Sequence, residues 1–198
     1  MKSIVIVGNS GEAINSKKGS LVDSCDIVIR LNNFETEGYE EDIGSKTDII
    51  VCAFSSLVKI CNPQKYPEYC HHDLTEKVIF WSARKLVGDK LARCKSLLGN
   101  VTVNQPSNNQ WKRALNGAYK NFWRQQPSTG LITIEMALDL FPNDKIFIHG
   151  FDNKVEKTHY FDKNYLDKDY PGDPCGHNWI GEWKYIQLII ESKKITIM

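Results

Sequence analysis

Short β-branched runs punctuate the chain at regular intervals. Ser3 to Val7 reads Ser-Ile-Val-Ile-Val and stops at Gly8. An uninterrupted apolar run of that length, closed by glycine, predicts a buried parallel strand. Similar runs predict strands over 26–31, 47–53, 78–82, 101–103, 145–149 and 195–197. Between them, apolar residues recur at helical spacing. Leu86, Val87, Leu91, Leu97 and Leu98 predict a helix over 84–98, and further helices are predicted over 111–123, 131–140 and 178–192. Pro142-Asn143-Asp144 ends the third of these. The stretch 154–176 is rich in Asp, Lys, Tyr and Pro without periodicity, and reads as a long loop or lid at an active site. Strands alternating with helices predict an α/β fold: a mostly parallel, twisted sheet flanked by helices, Rossmann-like, in a single domain over 1–198.

Composition narrows the function classes. With 25 basic and 24 acidic residues among 198, the net charge is +1, which argues against nucleic-acid binding. The first apolar run is too short for a signal peptide, and no run approaches the roughly 20 residues of a membrane span. A cytoplasmic setting is therefore expected, with peripheral membrane contact left open. The six cysteines form no CxxC pair and read as reduced thiols. His71 and His72 adjoin Cys70 and Asp73, but adjacent histidines do not converge on one ion, so no metal site is expected there.

Three groups of polar residues follow predicted strands or open predicted helices, where α/β sheets bind ligands. Gly8-Asn9-Ser10-Gly11 is neither a Walker loop nor GxGxxG, yet its glycines allow close approach to a phosphate or ribose. Pro127-Ser128-Thr129-Gly130 places a cap and exposed N–H groups at a helix start, where anions bind. His159-Tyr160-Phe161-Asp162 lies in the long loop. His177 precedes the last helix, whose dipole disfavours the imidazolium and so favours the neutral ring a general base needs. Each group taken singly also has a bland reading: a turn, an N-cap, surface histidines.

Their order is more informative. Val-Gly-Asn-Ser-Gly is followed by Asp-Ile-Val-Ile-Arg-Leu-Asn at 26–32 and by Glu-Asp-Ile-Gly-Ser-Lys-Thr at 41–47. Pro-Ser-Thr-Gly at 127–130, Gly150-Phe151, His-Tyr-Phe-Asp at 159–162, and His177 with Glu182 come after. This series resembles the large, small, third and very-small sialylmotifs of the animal-type sialyltransferases (glycosyltransferase family 29), from about residue 4 to about residue 182, with a divergent middle at 54–125. The resemblance implies a variant GT-A fold. It also implies metal-independent, inverting transfer of sialic acid from CMP-sialic acid to a glycan or glycolipid hydroxyl. By position, His177 matches the catalytic base and His159 the histidine facing the donor phosphate. Asn9, in contact with phosphate or ribose, and Asn32 match donor-binding asparagines. Ser10, Ser128, Thr129, Gly130, Gly150, Phe151 and Tyr160 complete the implied donor site. No cofactor is implied, and no DxD-like pair ends a strand. The family's disulfide between its large and small motifs has no cysteines here, because none stands at 3–7 or 131–140. A minimal bacterial or viral member is the expected kind. CMP-Kdo or another CMP-ulosonic acid as donor, and a non-catalytic CMP- or glycan-binding module, are the alternatives.

Overall fold

The computed structural model describes residues 1–62, 64–65, 79–83, 88–98, 103–119, 126–152, 159–161 and 177–198. Its strands are β1 (Ser3–Val7), β2 (Ile27–Leu31), β3 (Ile49–Cys52), β4 (Ile79–Ser82), β5 (Val103–Asn104), β6 (Lys145–His149) and β7 (Thr196–Ile197). Helices are α1 (Gly19–Asp23), α2 (Glu40–Ile43), α3 (Phe54–Ile60), α4 (Asp89–Leu98), α5 (Asn108–Ala118), α6 (Thr129–Leu140) and α7 (Trp179–Glu191). Each predicted strand has its counterpart. The short helices α1 to α3 carry too few turns to show a periodicity, so no pattern announces them. Helix α5 starts three residues earlier than expected. Its capping box, in which Ser107 and Gln110 satisfy each other's backbone N–H groups, sets that start. The expected loop at 154–176 falls outside the described residues except for 159–161, as do residues 70–73.

The seven strands among the described residues are all parallel, in the order β5-β4-β3-β2-β1-β6-β7. Successive side chains of a strand point to opposite faces, so one strand feeds two cores. Ile4 and Ile6 pack with Leu131, Ile132, Met136 and Ile186 on the face covered by α5, α6 and α7. Val5 and Val7 pack with Ala13, Val22, Ile43 and Tyr160 on the other. The chain runs outward from β1 to β5 and then returns to the opposite side of β1 as β6. The sheet therefore reverses its direction of growth between β1 and β6, and a crevice at the carboxyl ends of such strands is where α/β sheets place ligands.

Candidate active site

The turns leaving β1 and β6 touch there. Gly8 N–H donates to His149 O at 2.7 Å, and Ser10 N–H to Gly150 O at 3.1 Å. A Cβ on Gly8 would stand 2.3 Å from Gly150 O; Gly150, at φ +68°, would place one 2.8 Å from Gly8 O. Only glycine permits this approach. The Phe151 ring lies against Gly8 and Gly130, where Cβ atoms would stand 3.0 and 2.9 Å from it.

An open cleft begins at this crossing. Its walls include Asn9, Ser10 and Asn32 from the ends of β1 and β2, and Ser128, Thr129 and Gly130 from the start of α6. Gly150, Phe151 and Asp152 follow β6, and His159, His177, Trp179, Glu182 and Trp183 complete the rim and floor. Ten of the eleven residues singled out from the sequence border this one cleft.

Their hydrogen bonds revise several of the expected roles. Asn9 Nδ2 donates to Leu31 O (3.0 Å) and Asn33 O (2.9 Å), so both amide N–H groups are occupied. Asn9 presents only its carbonyl oxygen, which suits a ribose hydroxyl and not a phosphate. Asn32 is the reverse. Its Oδ1 accepts from Ala53 N (3.1 Å) and Thr129 Oγ1 (3.4 Å), leaving its amide N–H groups as donors. The Ser128 hydroxyl accepts from Leu131 N–H as the N-cap of α6 and donates to Glu182, so it positions the helix and does not reach toward a ligand. The N–H groups of Thr129 and Gly130, in the first helical turn, have no intrahelical partner, and both residues line the cleft. Tyr160 departs furthest from expectation. It is buried, and its hydroxyl donates to Glu35 O (2.5 Å) and accepts from Glu35 N (3.2 Å), beneath the cleft wall and not on it. Its own N–H donates to Asn9 O, and Ser10 pairs with His159 in an antiparallel bridge. Tyr160 thus holds the His159 segment against the first turn.

His177 stands just before α7. Its Nδ1 lies 2.6 Å from Gln126 O. A carbonyl only accepts, so Nδ1 carries the hydrogen and a neutral ring keeps its lone pair on Nε2. The Trp179 ring meets the imidazole edge-on at 5.0 Å. Beneath it Glu182 is buried, accepting from Tyr119 Oη, from Ser128 N (2.8 Å) and from Ser128 Oγ (2.5 Å). Desolvation raises its carboxyl above the ordinary range, against the pull of these donors and of His177. Tyr119 Oη also lies 2.7 Å from Gln126 O, its single hydrogen serving one of these two oxygens at a time, so one buried network joins the histidine's carbonyl partner, the cap of α6 and Glu182.

The sequence reading overlooked Asp152, Tyr119 and Gln126. Asp152 was findable, as a carboxylate three residues beyond a strand's carboxyl end. Tyr119 and Gln126 carry no local signal, since their roles come from contacts made across the fold. Among the described residues no group of three or more His, Cys, Asp or Glu is arranged to hold a metal.

A parallel sheet whose switch point opens into a cleft lined by glycine turns, a helix N-terminus and two histidines defines a Rossmann-like, ligand-binding α/β domain. Known proteins specify it further. The chain belongs to glycosyltransferase family 29 (sialyltransferase), whose model matches residues 1–194. It is 28% identical over 221 aligned residues to a mouse CMP-N-acetylneuraminate-beta-galactosamide-alpha-2,3-sialyltransferase, covering 94% of this chain and 61% of that protein. A 69-residue stretch is 45% identical to an Arabidopsis thaliana beta-1,6-galactosyltransferase, covering 35% of this chain and 17% of the relative. The chain therefore spans 61% of the mouse relative's length, less than two thirds. In fold it resembles the crystal structure of a mammalian sialyltransferase at a TM-score of 0.64 and 22% identity, over 100% of this chain and 68% of that one. The architecture is of the variant GT-A kind. No described helix is long and apolar enough to cross a membrane.

Proposed function

We propose that this chain transfers a sialic-acid-type sugar from a CMP-activated donor to a hydroxyl of a glycan or glycolipid, with inversion and without a metal. The observation that carries this reading is His177: family membership supplies the reaction class, and the Gln126 carbonyl fixes Nδ1 as the protonated nitrogen. Nε2 is then the atom that takes a proton from the acceptor hydroxyl as its oxygen attacks the anomeric carbon. The new C–O bond forms on the face opposite the departing phosphate. The old one breaks, and CMP leaves with the bonding pair. Thr129 and Gly130 N–H groups, the Asn32 amide and His159 meet the growing charge on that phosphate. These donors replace the divalent cation used where a leaving diphosphate must be neutralised. Glu182 and Ser128 position the helices that carry these groups.

The Arabidopsis match is a reason to keep the donor open within this proposal, since that relative is named for galactosyl transfer. CMP-Kdo and a non-catalytic CMP- or glycan-binding module are the other readings. A reducing, cytoplasmic setting belongs to the same proposal; Cys25 and Cys52 are buried thiols outside any disulfide.

Thermal melts with CMP, CDP, UMP and EDTA test the site. A ligand at 100 times its Kd raises stability by about 2.7 kcal/mol, so stabilisation by CMP, unaltered by EDTA, is expected. No shift with CMP would sink the reading. His177→Ala should leave CMP binding intact and lower transfer by about 100-fold or more, the scale of general-base catalysis. Undiminished transfer would remove His177 as the base.

A further inference from the structure

Three oxygen–oxygen contacts run through the buried network beside His177. Tyr119 Oη lies 2.7 Å from Gln126 O and also meets Glu182 Oε1, and Ser128 Oγ lies 2.5 Å from Glu182 Oε2. Two oxygens settle at such separations with a hydrogen between them, so three contacts need three hydrogens. The Gln126 carbonyl has none to give, and the Tyr119 and Ser128 hydroxyls give one each. The third can come only from the carboxyl itself. Its surroundings favour that. Glu182 is 3% exposed, and among the described residues no lysine or arginine pairs with it. A neutral acid avoids the cost of a buried charge. Among the described residues, the titratable groups that face it are Tyr119, just beyond α5, and His177, ahead of α7. Ser128, at the start of α6, adds its backbone N–H and hydroxyl. Desolvation outweighs all of these and raises the carboxyl.

We propose that Glu182 carries a proton on Oε1 in the resting protein and, through Tyr119, acts as a positioning residue for His177. The chain of bonds then runs in one sense. Glu182 O–H donates to Tyr119 Oη, and Tyr119 O–H donates to Gln126 O. The other lone pair of that carbonyl takes His177 Nδ1–H at 2.6 Å. Tyr119 Oη also accepts Asn178 N–H at 3.3 Å, which fills its second lone pair. Two donors thus fix the Gln126 carbonyl, and the carbonyl fixes the tautomer and tilt of the imidazole. Loss of the proton turns the Tyr119 hydroxyl to the carboxylate and leaves the carbonyl bonded to His177 without it. That Nε2 of this histidine receives a proton from an acceptor hydroxyl rests on the transferase reading; the proton on Glu182 does not.

Infrared spectroscopy tests the proton. Ordinary carboxyls are ionised at about pH 7, so a protonated-carboxyl band at that pH, shifted in heavy water and missing from Glu182→Gln, is expected. Absence of the band from the unaltered chain overturns the assignment, and that measurement needs no variant. A band that persists in Glu182→Gln overturns it too. NMR of the isotope-labelled chain tests the link. As pH rises, the Gln126 carbonyl carbon and the His177 Nδ1 signal should move at the midpoint where the Glu182 band disappears. Signals that stay still through that midpoint overturn the positioning role. Tyr119→Phe keeps the ring and removes the hydroxyl, so it should keep the band and lose the movement at Gln126. Movement preserved in that variant overturns the part given to Tyr119. Neither measurement uses a nucleotide, so a failure here leaves the CMP reading standing, and a failure of CMP to stabilise the chain leaves the proton standing.

Discussion

Single residues in this cleft act through what their other atoms are tied to. Asn9 and Asn32 carry the same side chain, yet the backbone turns one into an acceptor and the other into a donor. Glu182 shows the same dependence in charge. Burial raises its folded-state titration above that of the unfolded chain. An acid shifted upward binds its proton more readily when folded. Its contribution to stability is therefore full below the ordinary carboxylate value and is lost as pH rises through the raised one. Melting temperatures of the unaltered chain and of Glu182→Gln, followed from about pH 4 to about pH 8, should show the unaltered chain losing ground steadily as pH rises. A constant difference across that range would contradict the assignment. His149 has the opposite sign. Buried at the end of β6, with Nε2 3.0 Å from Asp42 O, it titrates below the ordinary imidazole range because of desolvation. Its contribution is full above about pH 6.5 and is lost as pH falls through the depressed value. His149→Gln should accordingly flatten the acid side of the stability profile.

At the scale of elements, the turns and caps make the site. Ser128 caps α6, and its backbone N–H and hydroxyl are two of the donors on Glu182. Ser128→Ala should cost about 1–2 kcal/mol from the lost cap, with a further cost at Glu182. Ser107→Ala, at the cap of α5, should lose only about 1 kcal/mol and leave CMP binding unchanged. Denaturant titration of both, with CMP affinity measured alongside, separates a cap that builds the site from one that only starts a helix. Ser107 stands apart from the helix read from residue 111, and of the two caps only Ser128 was legible, as Ser before a helical pattern. That it also faces a buried glutamate 54 residues further on was not, because Glu182 meets Ser128 only when α6 and α7 pack side by side.

Across the whole molecule, α5, α6 and α7 are joined behind the cleft. Glu135 on α6 is 1% exposed and receives Arg113 Nε from α5 at 2.6 Å and Tyr185 Oη from α7 at 2.8 Å. Arg113→Met leaves a buried carboxylate with only the tyrosine, and should lower stability by about 3 kcal/mol, read by denaturant unfolding. The sequence by itself determined the strands, the longer helices, the parallel α/β class and most of the residues that border the cleft. Those follow from local periodicity, glycine turns and short motifs, which are properties of neighbours along the chain. The tertiary structure alone decided what each side chain can offer a ligand. It occupied the Asn9 amide, turned Ser128 toward Glu182, withdrew Tyr160 beneath the wall, brought Asp152 onto the rim and fixed the proton on His177 Nδ1. The physical reason is that hydrogen-bond donors and acceptors are satisfied by whichever partner packing brings within about 3 Å, and here those partners lie tens to more than a hundred residues apart along the chain.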